Sequence, residues 1–109
     1  MTSRNVDKPR IYAVIPVYNE EVLIDSFLRE LAAKLSQITI NYKIIVVDDG
    51  SSDNSKRIIQ KLVGQLNIKF ISFSRNFGQE AAITAGLEVS KDADAAIIMD
   101  CDFHNILLK

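Results

Sequence analysis

The sequence predicts an α/β fold, a parallel sheet of about four strands with helices on both faces. Three observations carry this expectation. Short apolar runs alternate with longer segments whose apolar residues recur at three- and four-residue steps, which is the signature of strands separated by helices. The first two strand candidates, Ile11–Ile15 and Tyr42–Val47, are dominated by unbroken apolar runs rather than alternating, as expected for strands covered on both faces. Polar residues gather directly after all four runs, at Tyr18-Asn19-Glu20, Asp48-Asp49, Ser74-Arg75-Asn76 and Asp100-Cys101-Asp102. In a parallel sheet these ends share one edge, where open α/β sheets bind ligands.

Met1–Pro9 is polar and charged, so residues 1–10 are expected to form a flexible arm ahead of a single domain over 11–109. Ile11–Ile15, stopped by Pro16, forms the first strand. Asn19 is placed to cap the following helix, and Glu20-Glu21 suit its positive end. Leu23, Ile24, Phe27, Leu28, Leu31 and Leu35 give that helix one apolar face. Tyr42–Val47 is the second strand, and Asp48 through Asp53 make a turn in which Ser52 or Asp53 caps the next helix. Ile58, Ile59, Leu62 and Val63 mark that helix. Ile68, Phe70, Ile71 and Phe73 form the third strand. A helix from about Gln79 to Val89 is rich in alanine, and its small residues permit close packing. Ala95–Met99 is the fourth strand.

Composition narrows the function. Thirteen Lys and Arg against fourteen Asp and Glu leave a net charge of −1, so no basic face for nucleic acid is expected. Cys101 is the only cysteine, which excludes an internal disulfide and fits a reducing, cytoplasmic setting. The longest apolar stretches are about five residues, against ~20 for a membrane span. No G-x-G-x-x-G follows the first strand and no G-x-x-x-x-G-K-[ST] occurs, so a bound nucleotide would need a metal to neutralise its phosphates.

Asp100 and Asp102 stand two apart after a strand, so both carboxylates can face one ion. Hard oxygen ligands with open water positions suit Mg²⁺ or Mn²⁺ holding a diphosphate. Taken alone, the same spacing also describes two solvated acids in a loop. A carboxylate at Asp48 or Asp49 can accept a bond from a base N–H or a ribose hydroxyl, or can simply start the turn.

The stretches Pro16-Val17-Tyr18-Asn19-Glu20, Val46 through Asp53 (VVDDGSSD), Arg75 through Ala82 (RNFGQEAA) and Met99-Asp100-Cys101-Asp102 together resemble the family 2 glycosyltransferases. The likeness is greatest to the polyprenyl-phosphate sugar transferases, such as dolichol-phosphate mannosyltransferase and bactoprenol glucosyltransferase. It covers residues 11 to 102. The resemblance implies the Rossmann-like half of a GT-A fold, a UDP- or GDP-sugar donor, a divalent cation, and a polyprenyl-phosphate or saccharide acceptor. Full-length relatives of this kind often sit at the cytoplasmic membrane face.

By the same resemblance, Pro16, Tyr18 and Glu20 match the first nucleotide-contacting loop. Asp49 matches the aspartate that meets the base, with Asp48 beside it. Arg75, Asn76, Gly78 and Gln79 match the loop bordering the donor, and Asp100 and Asp102 match the metal pair. His104 falls where the family carries a glutamine that assists the metal. Imidazole can ligate Mn²⁺, and a lone histidine there also reads as solvated.

After Asp102 the likeness fades, and the sequence reads as a domain truncated past the D-x-D motif, without an acceptor pocket or a candidate general base. Two expectations follow: an uncovered sheet edge open to self-association, and the alternative of a catalytically inactive remnant serving as a nucleotide-binding or interaction module. A phosphoacceptor receiver domain fits worse. It needs acids at the end of the first strand, where this chain has Pro16-Val17-Tyr18.

Overall fold

The computed structural model describes residues 8–101. In chain order they form β1 (Ile11–Val17), α1 (Ile24–Ile38), β2 (Tyr42–Asp48), α2 (Ser55–Val63), β3 (Ile68–Ser72), α3 (Gln79–Glu88) and β4 (Ala95–Ile98). The strands make one parallel sheet in the order β3-β2-β1-β4. In register, Val17 lies opposite Asp48, Asp48 opposite Ser72, and Val14 opposite Ile98. The chain steps outward from β1 to β3 and then returns to the far side of β1 as β4. Strand order therefore reverses between β1 and β4, which is the switch point where such sheets open a crevice.

Strand alternation divides the core in two. Ala13, Ile15, Val17, Ile44 and Val46 pack with Ile24, Phe27, Leu28, Leu31 and Leu35 of α1 and with Ile59 and Leu62 of α2. Tyr12, Val14, Ile45 and Val47 face the opposite way, against Ala82 and Ala85 of α3. Both faces of β1 and β2 are thus covered, which explains their unbroken apolar runs. Burying side chains such as Phe27 and Leu28 stabilises the fold by about 1.5–3 kcal/mol each. Small residues bring α3 close. A β-carbon on Gly86 would stand 2.4 Å from Val14 Cγ1, so the helix backbone lies directly on the central strand.

Two helix starts differ from expectation. Asn19 does not cap α1; its φ of 53° puts it in the left-handed region, where its short polar side chain is tolerated. A turn intervenes, in which the Glu20 carbonyl accepts the amides of Leu23 and Ile24, and α1 begins only at Ile24. The second helix starts at Ser55, with Asn54 at the cap position. Asp53 nevertheless satisfies one terminal donor, because its Oδ1 accepts the Ser55 amide at 2.9 Å.

At the opposite end of the sheet, Arg10 donates its amide to Asp94 Oδ2 at 2.8 Å and Tyr12 donates its hydroxyl to Asp92 Oδ2 at 2.9 Å. The carbonyls of Lys8 and Pro9 accept from Asn41 and Thr39, so residues 8–10 of the expected arm are hydrogen-bonded to the domain. Residues 1–7 lie outside the described part. Every residue of β4 is exposed, with Ile97 at 37% and Ile98 at 46%. Among the described residues no helix is long and apolar enough to cross a membrane.

Candidate functional site

A cleft of about 550 Å³ opens at the carboxyl ends of the strands, beside the switch point. Pro16, Val17, Tyr18, Glu20 and Leu23 line it from the β1 side. Asp49 comes from the end of β2, Gln79 from the start of α3, and Asp100 and Cys101 from beyond β4.

One wall is two loops tied together. The Asn19 amide donates to Ser51 Oγ at 2.8 Å, and Asn19 Oδ1 accepts the amides of Ser52 at 2.8 Å and Asp53 at 3.3 Å. Glu20 donates its amide to the buried Ser55 hydroxyl at 2.8 Å. Glu21 meets the same turn twice: its amide donates to Asp53 Oδ2, and its Oε1 accepts the Asn54 amide. Burial acts to raise the Asp53 carboxyl, but the bonds from Ser55 and Glu21 outweigh it and hold that carboxyl below its ordinary range. These contacts fix the backbone that presents Pro16, Tyr18 and Glu20.

The paired acids after β2 divide their roles. Asp48 is fully buried on the α1–α2 side of the sheet and does not line the cleft. Its Oδ2 accepts the Ser51 amide at 3.1 Å, while Oδ1 has no hydrogen-bond partner. It starts the turn. Asp49, 3% exposed, reaches the loop after β3. Its carboxylate accepts Asn76 Nδ2 at 3.0 Å, the Phe77 amide at 2.8 Å and the Gly78 amide at 3.1 Å. A second Gly78 contact to Oδ1, at 3.3 Å, brings the carboxylate to about the four acceptor directions it possesses.

Gly50 makes this closure possible. Its φ of 73° favours glycine, and a β-carbon there would sit 2.2 Å from the Arg75 carbonyl carbon. The Arg75 guanidinium lies 4.8 Å from the Phe77 ring, which meets Phe73 edge-on at 5.6 Å. Arg75, Asn76 and Gly78 thus form the loop leading into α3 and do not themselves line the cleft. Gln79 does, and its Nε2 donates to Asp100 Oδ1 at 3.0 Å.

Asp102 and His104 lie outside the described residues. Among those described, no three His, Cys, Asp or Glu side chains gather closely enough to hold a metal ion by themselves. The structure therefore brings together Pro16, Tyr18, Glu20, Asp49, Gln79 and Asp100, and leaves Asp48 beneath the site. Sequence reasoning passed over Leu23 and Cys101 in the lining, and the supporting roles of Ser51, Ser55 and Gly50. The serine-rich turn after Asp49 was the available signal for Ser51.

Residues 12–104 match the family described as Glycosyl transferase family 2. The undecaprenyl-phosphate 4-deoxy-4-formamido-L-arabinose transferase of Aeromonas hydrophila is 39% identical over 103 residues, covering 93% of this chain and 31% of that one. The chain thus spans about a third of that relative's length. Among solved structures, a Pyrobaculum calidifontis mannosyltransferase in complex with GDP-Man and Mn²⁺ superposes with a TM-score of 0.76 at 21% identity, covering 87% of this chain and 28% of that one. S. aureus TarS 1–349 in complex with UDP-GlcNAc gives 0.67 at 27% identity, covering 85% and 26%. The fold is the Rossmann-like half of the GT-A type.

Proposed function

The chain belongs to glycosyl transferase family 2, and from that premise we propose that it forms the donor-binding part of a transferase moving a sugar from UDP or GDP to a polyprenyl phosphate or a saccharide. The observation that carries this reading is the cleft at the switch point, where Pro16, Tyr18, Glu20 and Asp49 face Gln79 and Asp100. The donors in the two related structures, GDP-Man and UDP-GlcNAc, support the ligand class, and the Aeromonas relative's name supports the acceptor.

Pro16, Tyr18 and Glu20 border the nucleoside. Asp49 holds the Arg75–Gly78 loop beside the donor, so a base N–H reaches its carboxylate only by taking an acceptor direction that the loop now uses. Asp100 fits a hard divalent cation, since Mg²⁺ and Mn²⁺ are commonly bound by one or two carboxylates together with substrate phosphates and water. Its Oδ1 is engaged by Gln79, and no hydrogen bond engages Oδ2 among the described residues. Asp100 with Asp102 would hold the ion. When bound, the cation supplies electrostatic stabilisation to the departing nucleoside diphosphate. A polyprenyl phosphate is already anionic and needs little help from a base; a hydroxyl acceptor needs a carboxylate within hydrogen-bond reach.

Calorimetric titration of UDP, GDP and their sugars, with and without Mn²⁺, tests the reading. We expect metal-dependent binding that chelation abolishes and that Asp100→Ala removes without lowering Tm. The absence of metal-dependent binding would overturn the donor-site assignment.

A further inference from the structure

We propose that Gln79 is a positioning residue for Asp100, whose side-chain amide holds that carboxylate in one orientation at the mouth of the cleft. The proposal rests on the reading of Asp100 as a cation ligand. Gln79 Nε2 donates to Asp100 Oδ1 at 3.0 Å across a separation of 21 residues, joining the first position of α3 to the segment after β4. Asp100 is exposed, so no packing restricts its terminal torsion, which is broad for a carboxylate. The amide supplies the missing restraint. It occupies one of the two acceptor directions of Oδ1 and leaves Oδ2 fully open to an ion.

The residue type matters as much as the distance. A glutamine amide donates without adding charge, so the carboxylate keeps its full attraction for a cation. A lysine would bring a competing positive charge, and a glutamate could not donate at all. The donor is also firmly based. Gly78, immediately before it, is bonded through its amide to Asp49, and α3 is seated on β1 where Gly86 meets Val14. A frame built on the buried core thus extends to an exposed ligand. Outer partners of this kind typically affect metal affinity by about 10–100-fold, and exposure places this one near the lower end.

Direct Mn²⁺ binding, followed by electron paramagnetic resonance with UDP or GDP present, tests the inference without relying on turnover. Gln79→Met keeps the length and helix preference while removing the N–H, and Gln79→Ala serves as a second variant. We expect each to weaken Mn²⁺ binding about tenfold with Tm unchanged, because Gln79 is exposed. In an Asp100→Ala background, neither should cause further loss. If wild type binds Mn²⁺, Asp100→Ala loses it, and both Gln79 variants match wild type, the positioning role is overturned and the donor site stands. If wild type itself fails to bind Mn²⁺ in the presence of nucleotide, the donor-site reading fails and this inference fails with it.

Discussion

The Phe77 amide donates to Asp49 Oδ1 at 2.8 Å, joining the end of the second strand to the loop that launches the third helix. With the neighbouring bonds from Asn76 and Gly78, this makes Asp49 a clamp for that loop. Asp49→Ala leaves two backbone amides and a side-chain amide without their acceptor. A stability loss of about 2–3 kcal/mol is expected, since bonds to a charged partner count for more than neutral ones. Hydrogen exchange at the Phe77 and Gly78 amides should quicken more than exchange in α1. Equal acceleration throughout the domain would show that Asp49 acts globally instead.

Gly86→Ala would drive a methyl group into Val14 Cγ1, since the added carbon would stand 2.4 Å away. Overpacking of this kind costs about 1–3 kcal/mol. Urea denaturation should show a lower midpoint with an unchanged slope. The double variant Gly86→Ala with Val14→Ala should recover part of the overpacking loss, and a strictly additive result would refute the contact.

Acid should weaken the fold through two carboxylates. The Tyr12 hydroxyl bond holds Asp92 below its ordinary range, and the bonds described above do the same for Asp53. A depressed folded-state pKa gives stability that is present above the unfolded value, about 3.9, and lost as pH falls through the folded one. The loss therefore belongs below about pH 4. At the other extreme, burial and Asp92 push the Tyr12 phenol upward, so its contribution persists below the unfolded value near 10 and disappears as pH rises through the raised one. Thermal melts from pH 2 to 7 should show a shallower acid limb for Asp92→Asn than for wild type.

The exposed fourth strand predicts association. Among the described residues β4 is an edge of the sheet on which Ile97 and Ile98 present apolar side chains, the arrangement that invites pairing with another copy. Sedimentation velocity should reveal a concentration-dependent dimer that Ile98→Lys abolishes. A species that stays monomeric at all concentrations would remove this expectation.

Much of this was legible because it depends on periodicity. The apolar runs at Ile11–Ile15 and Tyr42–Val47 read as doubly covered strands, and the acids following strands fell at the common edge. The loops were read less well. Asn19 resembles a helix cap in sequence, yet its partners are Ser51, Ser52 and Asp53, more than thirty residues away. Asp48 and Asp49 are chemically identical and adjacent. Only the backbone's path after the strand decides that one is buried below the site while the other clamps a distant loop. Gly50 could be read as a turn glycine, but the close approaches at Gly50 and Gly86 carried no local signal, because the atoms that forbid a side chain there come from Arg75 and Val14.

The bonds tying the first two loops together each bridge 32 to 35 positions of chain. Contacts of that span repay their closure entropy only once β1 and β2 are already side by side. This wall of the crevice is therefore expected to close only after β1 and β2 have paired, so its amides should gain hydrogen-exchange protection no earlier than those of the two strands.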